Sequence, residues 1–377
     1  MQLKWIAGLT GLAASLGGSF QAQAQSTFYP GIRYISPYSE GMGGVTLPLS
    51  EEVGNSLFNN PAALARNSKF RAEILNLSLD ANSGVLGSLG LSTLKMTSLG
   101  GMSTTLNSNI NKLYSAGFGN LTAVSWGGFA AGILFQQRVR AYSDGTIAHY
   151  ETTQDFVPTV GYGLSLARGV MRLGYSLQYV NKTTGTSQGN SDSSASFMNG
   201  MQEGHGFSSN ASVNFVFPFA YLPTFSLLGR NLLGLHYTSG SLLPRAKNSA
   251  GLPPDEATSV DEAFNLTVRV SSSIKSFWFL QYKDLTSTAH LPFLERFNLG
   301  LDLALSQSFS LRTGITGNQF SAGLGYRSPS SEISLAWYHE RSPFSSIGYW
   351  DTRYALQYKV FFNDHNSRDR DSETKAK

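Results

Sequence analysis

The sequence predicts an all-β fold, a transmembrane antiparallel β-barrel of about 14 strands. Three observations support this prediction. Large apolar residues alternate with small or polar residues along many short stretches, short and long connections alternate between those stretches, and the composition is rich in glycine and aromatic residues. The 377 residues include 39 Gly, 24 Phe, 17 Tyr and 5 Trp, and only 14% are charged. Membrane barrels combine short strands, tight turns and aromatic girdles in this way.

The first 24 residues are typical of a secretory signal peptide. Lys4 gives a positive start, an apolar stretch follows over 5–20, and Ala-Gln-Ala at 22–24 is a small-residue cleavage site. We expect an exported chain that begins at Gln25. There is no cysteine, so neither a disulfide nor a cysteine-ligated metal is expected. No later apolar run of about 18 residues predicts a membrane-spanning helix.

Residues 25–67 do not alternate, which predicts a compact irregular plug. The sequence Gly-Met-Gly-Gly-Val occupies 41–45, and Asn-Asn-Pro-Ala-Ala-Leu occupies 59–64. Glycine permits close approach to a wall or a positive φ. Pro61 fixes its own φ and restricts the residue before it, which predicts a rigid turn.

These two motifs resemble the N-terminal hatch of the FadL-type outer-membrane transporters, whose relatives include the PorV-like barrels of a bacterial secretion system. The resemblance covers residues 41–64. It implies a barrel of fourteen strands with a small N-terminal hatch inside the lumen, through which hydrophobic compounds such as long-chain fatty acids pass. By this resemblance the hatch and gating residues are Gly41, Met42, Gly43, Gly44, Asn60, Pro61 and Ala62.

The barrel is predicted over 68–362, and its last strand shows the alternation best. Tyr354, Leu356, Tyr358, Val360 and Phe362 stand at every second position. They share one face, because successive side chains of a strand point to opposite faces. A series of such strands predicts an apolar exterior against lipid and a more polar lumen.

Connections at one end of the predicted strands are short, as at Gly127 and Gly128, whereas most at the other end are long. Outer-membrane barrels have short periplasmic turns and long outer loops. The long connections are predicted over 80–118, 143–155, 182–207, 238–262, 285–294 and 341–352. The first of these is apolar enough to pack over the barrel mouth, with a helix near 107–115. A charged tail over 363–377 is expected to be disordered and periplasmic.

Basic residues predominate among the charged positions assigned to the inner face. Beside one acidic residue, Asp302, this set holds Arg138, Arg140, Arg172, Arg269 and Lys359. These residues predict a lumen that favours an anionic ligand, for example a carboxylate head group. The alternative is that they pair with Glu51, Glu52 or other acids of the hatch and hold it in place.

No pattern predicts catalysis, so we expect neither an enzyme nor a cofactor. The six histidines have no metal-ligand spacing, and no phosphate-binding loop is present. The mild net charge of +4 does not indicate nucleic acid as a partner.

The resemblance implies passive transport of small hydrophobic or amphipathic molecules, such as long-chain fatty acids, across a bacterial outer membrane. The alternative is a non-transporting structural or docking barrel, whose partner would belong to a secretion or surface-attachment system. A general aqueous porin is a third hypothesis. The expected partners are outer-membrane lipid, lipopolysaccharide and a hydrophobic small-molecule ligand.

Overall fold

A computed structural model describes most of the predicted barrel and part of the segment before it. The described residues are 33–49, 52–67, 69–87, 106, 110, 112–145, 147–190, 201–219, 221–242, 244, 246, 249–269, 274–287, 292–341 and 350–362. The predicted signal peptide over 1–24 and the predicted tail over 363–377 lie outside them. Within the described residues, no helix is long and apolar enough to cross a membrane.

Fourteen antiparallel strands of the described residues form one closed barrel, as predicted. Each strand pairs with its neighbours in the sequence, and the last pairs with the first. The strands are β1 (Arg71–Asn82), β2 (Tyr114–Trp126), β3 (Phe129–Ser143), β4 (Ile147–Leu166), β5 (Met171–Asn190), β6 (Gln202–Val216), β7 (Thr224–Arg230), β8 (Ser259–Arg269), β9 (Lys275–Tyr282), β10 (Phe297–Ala304), β11 (Phe309–Thr316), β12 (Gln319–Arg327), β13 (Ser331–Arg341) and β14 (Trp350–Phe362).

The barrel is apolar outside and polar inside. On β14, Tyr358 is 39% exposed, whereas its neighbours Gln357 and Lys359 are 0% and 4% exposed. Phe320 and Leu324 on β12 are likewise exposed, with Ser321 buried between them. An exterior of large apolar side chains is suited to lipid rather than to water, so the barrel is of the outer-membrane type.

Two of the predicted long connections are largely strand. β3 continues to Ser143 and β4 begins at Ile147, so the connection predicted over 143–155 is only a few residues long. β5 and β6 similarly extend into the connection predicted over 182–207. Apart from Ile147, Ala148, Tyr150 and Phe207, these extensions consist of polar residues and glycine, so they lack the regular apolar alternation on which the prediction depended. They are held by cross-strand pairs, such as Tyr142 stacked on His149 with ring centroids 4.5 Å apart.

The connection between β1 and β2 places an apolar residue at the end of the barrel that carries the long loops. It begins with a short helix over Ser83–Gly87. Leu106 is fully buried and packs in a cluster with Tyr114 and Tyr150. Residues 107–109 and 111, part of the helix predicted near 107–115, lie outside the described residues; the described residues 110, 112 and 113 are not helical, and Tyr114 begins β2.

A β-bulge interrupts β1. The register shifts after Glu73 in the pairing with both β14 and β2. One extra residue reverses which set of side chains faces inward. Glu73 and Asn76, three positions apart, are therefore both buried, while Ile74 is 49% exposed.

The two faces of the barrel should respond differently to a new carboxylate. Leu335 is 48% exposed on β13, so Leu335→Asp should place a charge in lipid and lower the yield of folded barrel. Ser310 is 4% exposed, and its Oγ lies 2.9 Å from Arg312 Nη2. Ser310→Asp should therefore assemble, with the new carboxylate next to that guanidinium. A lysine or arginine at mid-membrane costs about 2–4 kcal/mol, and an acid somewhat less.

The measurement is the heat-dependent gel mobility of the membrane fraction. Equal yields of the heat-modifiable form for Leu335→Asp and Ser310→Asp would show that the assignment of the two faces is wrong.

Candidate functional site

Residues 33–49 and 52–67, here called the N-terminal segment, pack against the buried face of the barrel wall. They contain α1 (Pro37–Glu40), α2 (Val53–Asn59) and a 3₁₀ helix (Pro61–Arg66). Helix α1 starts with a cap: the Ser39 amide donates to Ser36 Oγ at 3.2 Å, and proline follows the cap. No strand of the barrel comes from the segment, so side chains rather than strand pairing attach it to the wall.

The glycine motif lies directly against the wall. Gly43 and Gly44 have φ of 71° and 66°, which suits glycine. An added Cβ on Gly43 would lie 2.9 Å from backbone atoms of Ile315 and Leu299. An added Cβ on Gly41 would lie 3.0 Å from Gly323 Cα. Glycines on both surfaces therefore let the two backbones approach closely.

Inward polar side chains bind the backbone around this motif. The Gly43 amide donates to Ser321 Oγ at 2.7 Å, and its carbonyl accepts from Asn298 and Thr316. The amides of Thr46 and Leu47 both donate to Gln281 Oε1, at 2.8 and 3.1 Å. The segment thus satisfies its irregular backbone with polar groups of the wall.

The second motif contacts the opposite part of the wall. Asn60 Nδ2 donates to Leu47 O at 2.7 Å, which connects the second motif to the chain just after the first. The Ala62 amide donates to Ser212 Oγ at 2.7 Å, and Ser212 Oγ donates to Asn60 Oδ1 at 3.0 Å. Pro61 and Ala62 lie so close to Gly174 on β5 that a Cβ there would overlap their backbone atoms. All seven predicted hatch and gating residues therefore lie in the part of the segment that packs on the wall.

Lys359 is bound to the N-terminal segment. Its Nζ lies 2.7 Å from Glu52 Oε1 and 3.2 Å from Glu332 Oε2, and all three side chains are about 5% exposed. This is the arrangement expected if a basic residue holds the segment in place. Glu51, the other acid considered, lies outside the described residues.

Arg138 and Arg140 meet at one acid near the long-loop end. Their Nη1 and Nη2 atoms each lie 2.8 Å from Glu340 Oε1. Asp80 and Glu151 are further acidic neighbours, at 3.7 Å from Arg138 and 3.2 Å from Arg140. The sequence had indicated a predominantly basic inner face. In the structure, these arginines instead lie beside acidic residues.

The remaining two basic candidates lie on other strands. Arg172 lies at the start of β5, near the turn of the short-turn end. Arg269 is the last residue of β8, and its side chain lies outside the described atoms. Among the described side chains, Arg138 and Arg140 bind one acid and Lys359 binds others, so these three do not form a single anion site.

Several charged groups of the interior were missed. The Tyr38 hydroxyl of the segment donates to Asp302 Oδ2 at 2.7 Å. The Arg312 guanidinium lies 3.8 Å from the centroid of the Tyr38 ring. The alternation of β11 could have revealed Arg312, because it stands between the outward residues Leu311 and Thr313. Arg230 Nε lies 3.0 Å from Asp261 Oδ2, with both side chains fully buried.

The sequence could not predict a further ionic group, because its members belong to three elements that are distant along the chain. Arg33 of the segment binds Glu256, in the connection between β7 and β8, through two hydrogen bonds of 2.9 and 2.5 Å. Lys182 Nζ on β5 donates to the same carboxylate at 3.1 Å.

An apolar cluster lies beside that ionic group. Its largest members from the N-terminal segment are Tyr34 and Phe58, whose ring centroids are 6.2 Å apart. The wall and the β7–β8 connection contribute Leu121, Ala123, Ala130, Leu134, Val157, Val180, Leu235 and Tyr237. Tyr237 belongs to both groups, since its hydroxyl donates to Glu256 Oε1 at 2.9 Å. The interior thus joins an apolar surface to a buried carboxylate-binding group.

Glu40 at the end of α1 is an acid with a shifted pKa. Burial, and then the charge of Glu340, raise its pKa to about 7, against opposing effects of Lys283, Arg138 and Arg353. Glu40 therefore keeps its proton to a higher pH than an ordinary glutamate does.

The Gly43→Ala substitution should loosen the N-terminal segment. A left-handed φ costs a non-glycine residue about 1–2 kcal/mol, and the new Cβ would also collide with the wall. Gly127→Ala is the matched control, because Gly127 has φ of 59° and nothing within 4 Å of an added Cβ. Limited proteolysis of the folded barrel should cleave the segment faster only in Gly43→Ala. Equal cleavage of the two variants would contradict a role for the close contact.

The pKa of Glu40 predicts a pH dependence of stability. Its pKa in the folded protein lies above the ordinary 4.5, so its favourable contribution is complete below pH 4.5 and is lost as pH rises through about 7. The thermal midpoint of the purified barrel should therefore fall between about pH 5 and pH 8. Glu40→Gln should flatten this change; an unaltered pH profile in that variant would contradict the assignment.

Comparisons with known proteins agree with the architecture. No family model matches the sequence, and no curated protein does. Among solved structures, a deletion mutant of TodX, described as a monoaromatic hydrocarbon channel, is 10% identical with a TM-score of 0.52, over 86% of this chain and 97% of that one. TodX is a Pseudomonas putida protein.

Two further structures give lower scores. A Pseudomonas aeruginosa FadL homologue is 13% identical with a TM-score of 0.48, over 88% of this chain and 98% of that one. The CymD monoaromatic hydrocarbon channel is 12% identical with a TM-score of 0.48, over 88% and 97%. At these identities the TodX comparison establishes the fold: the chain is a fourteen-stranded barrel similar to that channel.

Proposed function

We propose that this protein is a passive outer-membrane channel for small hydrophobic or amphipathic molecules, with long-chain fatty acids as the first class to test. One observation carries the proposal: inside the barrel, an apolar cluster lies directly beside buried groups that hold a carboxylate. An amphipathic molecule requires both kinds of surface, whereas a water-filled porin requires neither.

Among the described residues, this apolar cluster is the largest of several in the interior, and the wall around it is mostly polar. Ser176 and Gln178 on β5 and Asn210 on β6 are typical buried residues of the wall. Against that background, the pairing of Tyr34 and Phe58 with apolar wall residues forms a local lining suited to a hydrocarbon chain.

The N-terminal segment is suited to the role of a hatch. It is attached by apolar packing, by buried ion pairs such as that of Glu52 with Lys359, and by side-chain hydrogen bonds, but not by strand pairing. The barrel closes through its own strands, so the segment can shift without breaking the wall. Displacement of the segment would uncover the apolar cluster, to which it contributes five of the thirteen residues. The fold likeness to a hydrocarbon channel supports this reading.

Deletion of residues 25–65 tests the proposal. The barrel should still assemble, because it does not use the segment as a strand, but selective uptake of labelled fatty acid should be lost and the single-channel conductance should rise. Cells without the chain provide the baseline, and Leu335→Ile on the outer face is the matched control. If the protein is instead a docking barrel, cells with and without it should take up fatty acid equally. The deletion should then only raise the permeability to polar solutes.

A further inference from the structure

We propose that the β7–β8 connection is a lid that is latched to the N-terminal segment by the carboxylate of Glu256, so that the two open together. The lid is defined here by residues 231–242 and 249–258. The consequence for transport rests on the proposed channel function, but the latch itself does not.

The latch joins three elements at one carboxylate. Arg33 of the N-terminal segment contacts both oxygens of Glu256, at 2.9 and 2.5 Å. Lys182 from β5 and Tyr237 from the lid donate to Oε1, at 3.1 and 2.9 Å. The side chains of Arg33, Lys182 and Glu256 are 0%, 6% and 5% exposed. A bidentate, buried arginine–carboxylate pair fixes both position and orientation.

The lid is also anchored on its apolar side. Leu235 is fully buried and Tyr237 is 5% exposed, and both pack in the apolar cluster with residues of the N-terminal segment. The backbones of Leu235 and Glu256 pair with each other, with N–O distances of 2.9 and 3.0 Å. The lid therefore presents Leu235, Tyr237 and Glu256 to the segment as one unit.

Backbone contacts hold the same part of the lid over β6. His205 and Thr238 form an isolated bridge with N–O distances of 2.9 and 2.8 Å. Gly206 approaches the His236 carbonyl so closely that a Cβ would overlap it. The lid thus lies between the long-loop end of the wall and the N-terminal segment, which couples the position of one to that of the other.

The charge balance makes Glu256 the control point. Burial alone would raise its pKa, but Arg33 and Lys182 lower the pKa to about 2, so the carboxylate is ionised near neutral pH. Its removal leaves two buried cations without that counter-charge. Breaking one partner of a buried pair destabilises the closed arrangement far more than removing a surface pair does.

The lid supplies a matched surface pair for comparison. Asp255, next to Glu256, contacts His236 at 2.6 Å, but these side chains are 55% and 76% exposed. Asp255→Asn removes one acid from the same stretch of the lid without touching the N-terminal segment.

Hydrogen exchange of the purified full chain in detergent micelles tests the latch. Glu256→Gln should accelerate exchange about tenfold in both the lid and residues 33–49, because loss of the buried charge pair favours the open arrangement. Asp255→Asn should change neither stretch by more than about twofold. Arg33→Met, which removes the other partner of the latch, should accelerate exchange as Glu256→Gln does. The double variant should exchange no faster than either single variant.

Heat-dependent gel mobility will confirm that each variant forms a barrel. Arg33→Lys, which keeps the charge but loses the bidentate contact, replaces any variant that does not fold. Faster exchange in the lid alone, or in neither stretch, would overturn the proposal. Exchange is measured without a substrate, so a failure of fatty-acid uptake would count against the channel function and not against the latch.

Discussion

The structure depends on one constraint: a barrel with an apolar exterior must place its polar side chains inside. Backbone groups in lipid are satisfied by strand pairing around the closed sheet, and the inward side chains find partners in one another, in the N-terminal segment and in the β7–β8 connection. Gln281 and Asn298 illustrate the result, since each binds backbone atoms of the segment. The irregular conformation of the segment is thus supported by the same polar wall that the lipid-facing exterior requires.

Charge is distributed inside the barrel according to the same constraint. Lys359 lies between Glu52 and Glu332, and Arg138 and Arg140 share Glu340. A buried cation is costly unless an acid is close, so basic residues on inward positions indicate partners on facing elements before they indicate a ligand. The exception of interest is Glu256, because its carboxylate comes from a connection rather than from the wall or the segment, and a connection can move.

The apolar cluster and the Glu256 group together relate the fold to the proposed function. They join the N-terminal segment, the wall and the β7–β8 connection at one place in the interior, and Tyr237 belongs to both. Movement of the connection would therefore expose apolar surface and uncover cations in one step. Neither change requires any strand of the barrel to separate from its neighbour.

The sequence by itself determined the fourteen strands, the closure of the last on the first and the face of each residue in the last strands, because a period of two is a local property of extended backbone. It missed the extensions of β4, β5 and β6, in which no regular apolar face marks the strand. Only the tertiary structure decided the charge partners: Arg33 and Glu256 are 223 residues apart in the chain, and Lys359 and Glu52 are 307 apart. Such pairs exist because barrel closure brings distant elements around one lumen, and no pattern along the chain records which inward side chains will face each other across it.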